Sequence, residues 1–233
     1  MTTGDTNQLF SSRWIAEFEK QIQRRRHVLL YGNIHDAVFW NGKHTGVKQY
    51  LFEYFTATKF TVIMRYDLVD GFCYSDEASP TPGSQPATAP TMRKWFDGIV
   101  QQAVMPGSAP LLQGQSGSGS RQPRIMPEDA FSRVRHALSQ QQVSVAATVD
   151  YGDMVTGDQG HFAPDERVAL TFLKKCTLEA RVLAHREAPD KAGYLNTLVL
   201  LASDLRSVPA WFYRDHPHLA LVQVGRPDWK ERR

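Results

Sequence analysis

The chain has 233 residues, 42% of them hydrophobic and 22% charged, with a formal net charge of +3. That balance is ordinary for a soluble globular protein with a substantial core, and the small positive excess gives no ground for nucleic-acid binding. Two cysteines (Cys73 and Cys176), a polar N-terminus without a signal-peptide core and the absence of any apolar run near the ~18 residues of a membrane helix fit a cytoplasmic chain with no membrane attachment.

Trp14, Ile15, Phe18 and Ile22 recur at helical spacing, so residues 11–26 are expected to form an N-terminal helix. Ser11 or Ser12 can cap its start, and Arg24, Arg25 and Arg26 suit its negative end. HVLLY at 27–31 is a short buried strand. A turn of Gly32, Asn33, Ile34, His35 and Asp36 follows, and the triplet Gly42, Lys43, His44 fits a hairpin-like turn. An aromatic amphipathic helix is expected over 46–56 and a second strand over 60–66, completing a right-handed βαβ unit. Pro, Ser and Gly dominate 75–90 and 106–123, which read as flexible surface insertions on either side of a helix at 92–104. The tract GQSGSGSR at 114–121 has glycines at phosphate-loop spacing, but it lacks Lys-Ser/Thr and a preceding strand, and reads as a linker.

A helix over 127–140 starts with Glu128 and Asp129, as the helix dipole favours, and VSVAATV at 143–149 is a strand ending in Asp150. A long helix covers 165–181. Two apolar runs, 198–202 and 219–224, flank a helical turn bearing Trp211, Phe212 and Tyr213. Four or five strands alternating with helices imply a three-layer α/β sandwich with a mostly parallel sheet. In such sheets ligands sit at the carboxyl ends of the strands, where Ser203, Asp204, Arg226 and Asp228 fall. His216 and His218 lack a third ligand at metal-binding spacing, and no nucleophile elbow is present.

The pieces HVLLYGNIHD, FTVIMRYDLVDGF, VAATVDYGD, NTLVLLASDLRSVPAWFYRDHP and GRPDWKERR resemble the N-terminal, degenerate ATPase-like domain of bacterial AAA-family (AAA+) ATPases. The resemblance implies a core of the P-loop NTPase type over 27–233, preceded by the N-terminal helix at 1–26, and a lid beginning near 227–232 that this sequence does not continue. It implies that Gly32, Asn33, Ile34, His35 and Asp36 hold a nucleotide, ATP or ADP with magnesium, weakly and through backbone amides. By the same resemblance Asp150 reaches the magnesium, Asp204 stands at the sensor position that orients the attacking water, and Arg214 matches a trans-acting arginine finger. The residues themselves also allow plainer roles: Asp150 as a polar strand end and Arg214 as a solvated cation. Three features depart from a working hydrolase: no Lys-Ser/Thr follows Gly32, Tyr151 occupies the place of the catalytic Glu, and Asp204 replaces the commoner Asn.

The leading expectation is a degenerate nucleotide-binding or pseudo-ATPase module with a regulatory or scaffolding role in a larger ATPase assembly. An active hydrolase with an atypical phosphate loop and an interaction module that binds no nucleotide are the alternatives. A protein partner or self-association is expected at an apolar edge of Trp211, Phe212 and Trp229.

Overall fold

The computed structural model describes residues 13–40, 42–74, 96, 98, 125–155, 163–183 and 193–226. The insertions expected at 75–90 and 106–123, and the segment 227–232 with Asp228 and Trp229, lie outside them.

The expected first helix is α1 (Arg13–Gln23), which buries Trp14, Ile15 and Phe18 along one stripe. Strand β1 (His27–Gly32) follows. Next comes a hairpin of β2 (Ala37–Trp40) and β3 (Lys43–Gly46), with the Gly42–Lys43–His44 triplet at its return. Helix α2 (Val47–Ala57) buries Tyr50, Leu51, Tyr54 and Phe55. Strand β4 (Val62–Asp67) turns back into β5 (Gly71–Tyr74). The turn is made by Asp67, whose Oδ1 accepts from the amides of Val69 (2.8 Å) and Asp70 (2.7 Å), and by Gly71 at φ +71°.

Helix α3 (Pro127–Leu138) opens on Pro127, Glu128 and Asp129, all suited to a helix start. Strand β6 (Val145–Val149) is buried along its whole length. Helix α4 (Pro164–Glu179) leads to a small hairpin, β7 (Val182–Leu183) with β8 (Tyr194–Leu195). Strand β9 (Thr197–Ala202), the four-residue helix α5 (Ala210–Tyr213) and β10 (Leu219–Val224) complete the described chain.

Six strands make the main sheet, in the order β10-β1-β9-β6-β4-β5, with every pair parallel except β4–β5. The antiparallel edge strand β5 exceeds the four or five strands expected, because its four residues carry too little pattern to stand out. Alternate residues of each strand serve opposite cores. Val28, Leu30, Val199 and Leu201 face α1 and α2, while Leu29, Leu198, Leu200 and Val149 face α3, α4 and α5. The result is the three-layer sandwich the element order implies.

Two connections fix the functional geometry. The chain leaves β1 across the α1/α2 face to reach β4, and leaves β9 across the opposite face, through α5, to reach β10. Neighbouring strands β1 and β9 therefore send their loops to opposite sides. Such a divergence opens a crevice at the carboxyl edge of the sheet.

Candidate functional site

Asp150 is the first residue after β6, and its amide donates to the Tyr66 carbonyl at 2.8 Å. Its side chain is fully buried; Oδ1 accepts from the Tyr151 amide at 2.9 Å, and Oδ2 meets the Lys48 ammonium. The Lys48 contact is an ion pair without the alignment of a good hydrogen bond. Lys48 lies in the first turn of α2, after the N-cap Gly46. That turn has no acidic residue and no side-chain cap, so an unpaired cation there would oppose the helix dipole. Asp150 supplies the missing negative charge across the crevice.

Tyr151 covers the pair. The Lys48 ammonium sits 4.5 Å from the Tyr151 ring centroid, and the His35 ring centroid lies 5.6 Å from that of Tyr151. Tyr151 holds this place with a left-handed backbone, φ 50°, uncommon for a bulky residue. Gly152 then allows the turn to press onto β9: a Cβ there would stand 2.5 Å from Leu200 Cδ1 and 3.0 Å from the Leu201 carbonyl. Asp153 fastens the turn, its Oδ2 accepting from the Ser203 amide at 3.0 Å. The Ser203 hydroxyl in turn meets His35 Nε2 at 3.2 Å. Lys48, Asp150, Tyr151, His35 and Ser203 thus form one contiguous cluster over the ends of β1, β6 and β9.

The loop after β1 is internally committed. Gly32 adopts φ +104°, and a Cβ there would lie 2.8 Å from the Val224 carbonyl. The Asn33 amide donates to that same carbonyl at 3.0 Å, and the Ile34 amide to the Gly32 carbonyl at 2.8 Å. Ala37 donates to Asp36 Oδ1 at 2.9 Å, while Asn33 Nδ2 donates to Asp36 Oδ2 at 2.7 Å. Ile34 is buried among the α1 and α2 side chains. Of the five loop residues singled out from the sequence, His35 is the one whose side chain enters the Asp150 cluster.

The remaining candidates disperse. Asp204 is exposed and accepts from the Arg206 amide at 2.9 Å, capping the single turn Leu205–Ser207. Arg214 is exposed at the end of α5, near the opposite, amino edge of the sheet, where β10 begins. His216 is buried and pairs with the Thr177 hydroxyl at 2.9 Å. Phe212, expected in an exposed apolar edge, is instead fully buried, because the short α5 turns it into the α3/α4 core; Trp211 alone of that pair stays open, at 43% exposure.

Lys48 escaped the sequence reading. The lysine of the Gly42–Lys43–His44 triplet pairs instead with Glu53 at 2.7 Å. The available signal was Gly46–Val47–Lys48, a cation placed where a helix begins and where electrostatics asks for an anion.

Residues 11–225 match the family described as the AAA+ chaperone, N-terminal Rossmann-like domain. The chain belongs to that family. No curated protein matches it in sequence. Among solved structures, a chain of the E. coli MS115-1 HORMA:CdnC:Trip13 complex is similar at 13% identity with a TM-score of 0.42. That match covers 95% of the present chain and 54% of the other, so this AAA+ chaperone N-terminal domain spans about half the length of the neighbour.

For a magnesium nucleotide to occupy this domain in the usual manner, the aspartate at the end of β6 must be free for the hydrated metal. Backbone amides must also point outward from the loop after β1. In the arrangement described, Asp150 is held by Lys48, and the Asn33, Ile34 and Ala37 amides are already donated. The first requirement is not met without rearrangement, and of the loop amides that of His35 is the one that donates no hydrogen bond among the described residues.

Proposed function

We propose that this AAA+ chaperone N-terminal domain is a regulatory or scaffolding module of a larger ATPase assembly and does not itself turn over nucleotide. The observation that carries the reading is the Lys48–Asp150 ion pair beneath Tyr151. A hydrolase needs a lysine directed at phosphate, a carboxylate directed at metal and a second carboxylate to polarise water. Here the lysine and the first carboxylate neutralise each other, and a tyrosine stands where the second would be.

The test is phosphate release by purified protein with ATP and magnesium, beside Asp150→Ala, together with thermal shift. Turnover is expected to equal that of the variant. A nucleotide present at a hundred times its dissociation constant would add about 2.7 kcal/mol to stability, an easily seen rise in Tm. Phosphate release clearly above the Asp150→Ala level would overturn the proposal. A rise in Tm that Lys48→Met abolishes, without phosphate release, would keep the regulatory role and make nucleotide its signal.

A further inference from the structure

Helix α4 buries Ala169, Leu170, Leu173, Cys176 and Thr177 against the core. On its opposite side Val168, Thr171, Lys175 and Leu178 follow one another at three-four-three spacing, and all four are exposed. An outer helix face is ordinarily polar, yet Val168 is 39% and Leu178 49% exposed. Between the side chains of Arg167, Val168, Thr171, Phe172 and Lys175 runs a shallow depression of about 300 Å³.

The same helix carries charge of one sign over its middle. Between Glu166 and Glu179 stand Arg167, Lys174 and Lys175, with no acid among them. Lys174 is held by the Trp211 carbonyl at 2.9 Å. Arg167 and Lys175 are exposed and have no ion-pair partner among the described residues. The acids of the helix lie at its ends and serve other purposes. Asp165 suits the dipole in the first turn, Glu166 accepts from the Ala163 amide at 2.9 Å, and Glu179 accepts from Arg135 Nε at 2.6 Å.

Residues three and four apart along one helix form the seam that a second helix fills with its own apolar side chains. The unpaired cations beside the seam match carboxylates on that second helix. A second copy of this chain, docked through the same face, would set Arg167 and Lys175 against like charges. A nucleic acid would satisfy those cations, and Trp211, beside Lys174, offers a ring to a base. Val168 and Leu178, however, are aliphatic and leave water with profit only against other apolar side chains.

We infer that the outer face of α4 docks an acidic amphipathic helix of a partner protein, its apolar stripe on Val168 and Leu178 and its carboxylates on Arg167 and Lys175. None of these four residues enters the Lys48–Asp150 cluster, so the outcome for this face is separate from the nucleotide question.

The test is fluorescence anisotropy of a labelled three-heptad helical peptide with Leu at its a and d positions and Glu at e and g. A twin peptide with Lys for Glu, a single-stranded oligonucleotide and anionic lipid vesicles are measured beside it. The Glu peptide should bind more weakly at physiological than at low salt, and about tenfold more weakly to the Val168→Ser, Leu178→Ser double variant. Leu221→Ser, at an exposed apolar residue of β10, should leave binding unchanged. The Arg167→Glu, Lys175→Glu double variant should reverse the preference toward the Lys peptide. All these positions are exposed, so circular dichroism should stay native. Should a double variant misfold, Thr171→Glu, which sets a carboxylate in the middle of the seam, should weaken the Glu peptide by the same factor. No binding of the Glu peptide at low salt, equal binding by the serine variant, or tighter binding of the Lys peptide, oligonucleotide or vesicles by the native chain would overturn the assignment. Thr171→Cys in a Cys73→Ser background should also react with a maleimide as fast as an exposed thiol. Protection without peptide would show that the chain covers this face itself, and would overturn the assignment too.

Discussion

Lys48 and Asp150 show how one pair sets the character of a site. Asp150 is wholly buried and Lys48 keeps 28% exposure. Removing the lysine strands a buried carboxylate, while removing the carboxylate charge frees a lysine that can still turn toward water. Lys48→Met should therefore cost about 3 kcal/mol in urea denaturation and Asp150→Asn distinctly less. The double variant should recover most of the loss, the sign of direct coupling. Equal and additive effects would show that the two groups do not depend on each other.

His27 presents the opposite case, a titratable group held neutral. Its Nδ1 accepts from the Leu198 amide at 3.0 Å, and its Nε2 donates to the Thr177 carbonyl at 3.0 Å. Burial lowers its pKa from the ordinary 6.5 to about 3, with smaller effects from His216 and His218, and burial lowers His216 as well. The unfolded chain thus takes up these protons first as the solution is acidified. Stability is complete above about pH 6.5 and declines as pH falls toward about 3, by up to about 2 kcal/mol between pH 6.5 and 5 for His27. Urea midpoints across that window should fall less steeply in His27→Gln than in the native chain; parallel slopes would refute the assignment.

Among the elements, α5 separates adjacent aromatics by a single helical step. Phe212 is fully buried against α3 and α4, whereas Trp211 meets Lys174, whose Nζ lies 5.4 Å from the ring and donates to the Trp211 carbonyl at 2.9 Å. Phe212→Ala should cost about 3–5 kcal/mol and Trp211→Ser about 1 kcal/mol or less, read from denaturant midpoints. Similar losses would mean that Trp211 is part of the core. The hairpin β2–β3 works at the same scale. It stands between β1 and α2, and its inner face, with Val38 buried and Trp40 packed 4.9 Å from the Tyr50 ring, anchors it to the helix that carries Lys48.

For the molecule as a whole, one sheet serves two cores. Leu29 and Leu30 are neighbours in β1, yet they pack under different helices. Loss of either helical layer exposes the same strands, so the described domain should unfold in one cooperative transition. Phe18→Ala, in the α1/α2 core, and Phe131→Ala, in the α3/α4 core, should each shift the whole thermal transition in near- and far-ultraviolet circular dichroism alike. A second transition appearing in either variant would divide the domain into independent units.

The sequence by itself determined the layer architecture, because periodicity is a local property. Three-to-four spacing in α1 and α2, and short apolar runs at β1, β6, β9 and β10, leave a helix-strand alternation that only a parallel sheet between helices can bury. It also supplied Asp150 and the loop from Gly32 to Asp36 as neighbours of the carboxyl edge. Tertiary structure alone decided which side chains meet there. Lys48 and Asp150 are separated by about a hundred residues, and Asp153, out of register with a strand end in the sequence, proves to be the residue that fastens Ser203. Asp204, on the strand end itself, turns away to cap its own loop. Such choices depend on where a backbone can bend, at Gly32, Tyr151 and Gly152, and on which buried charge needs a partner; neither is a property of any short stretch of residues.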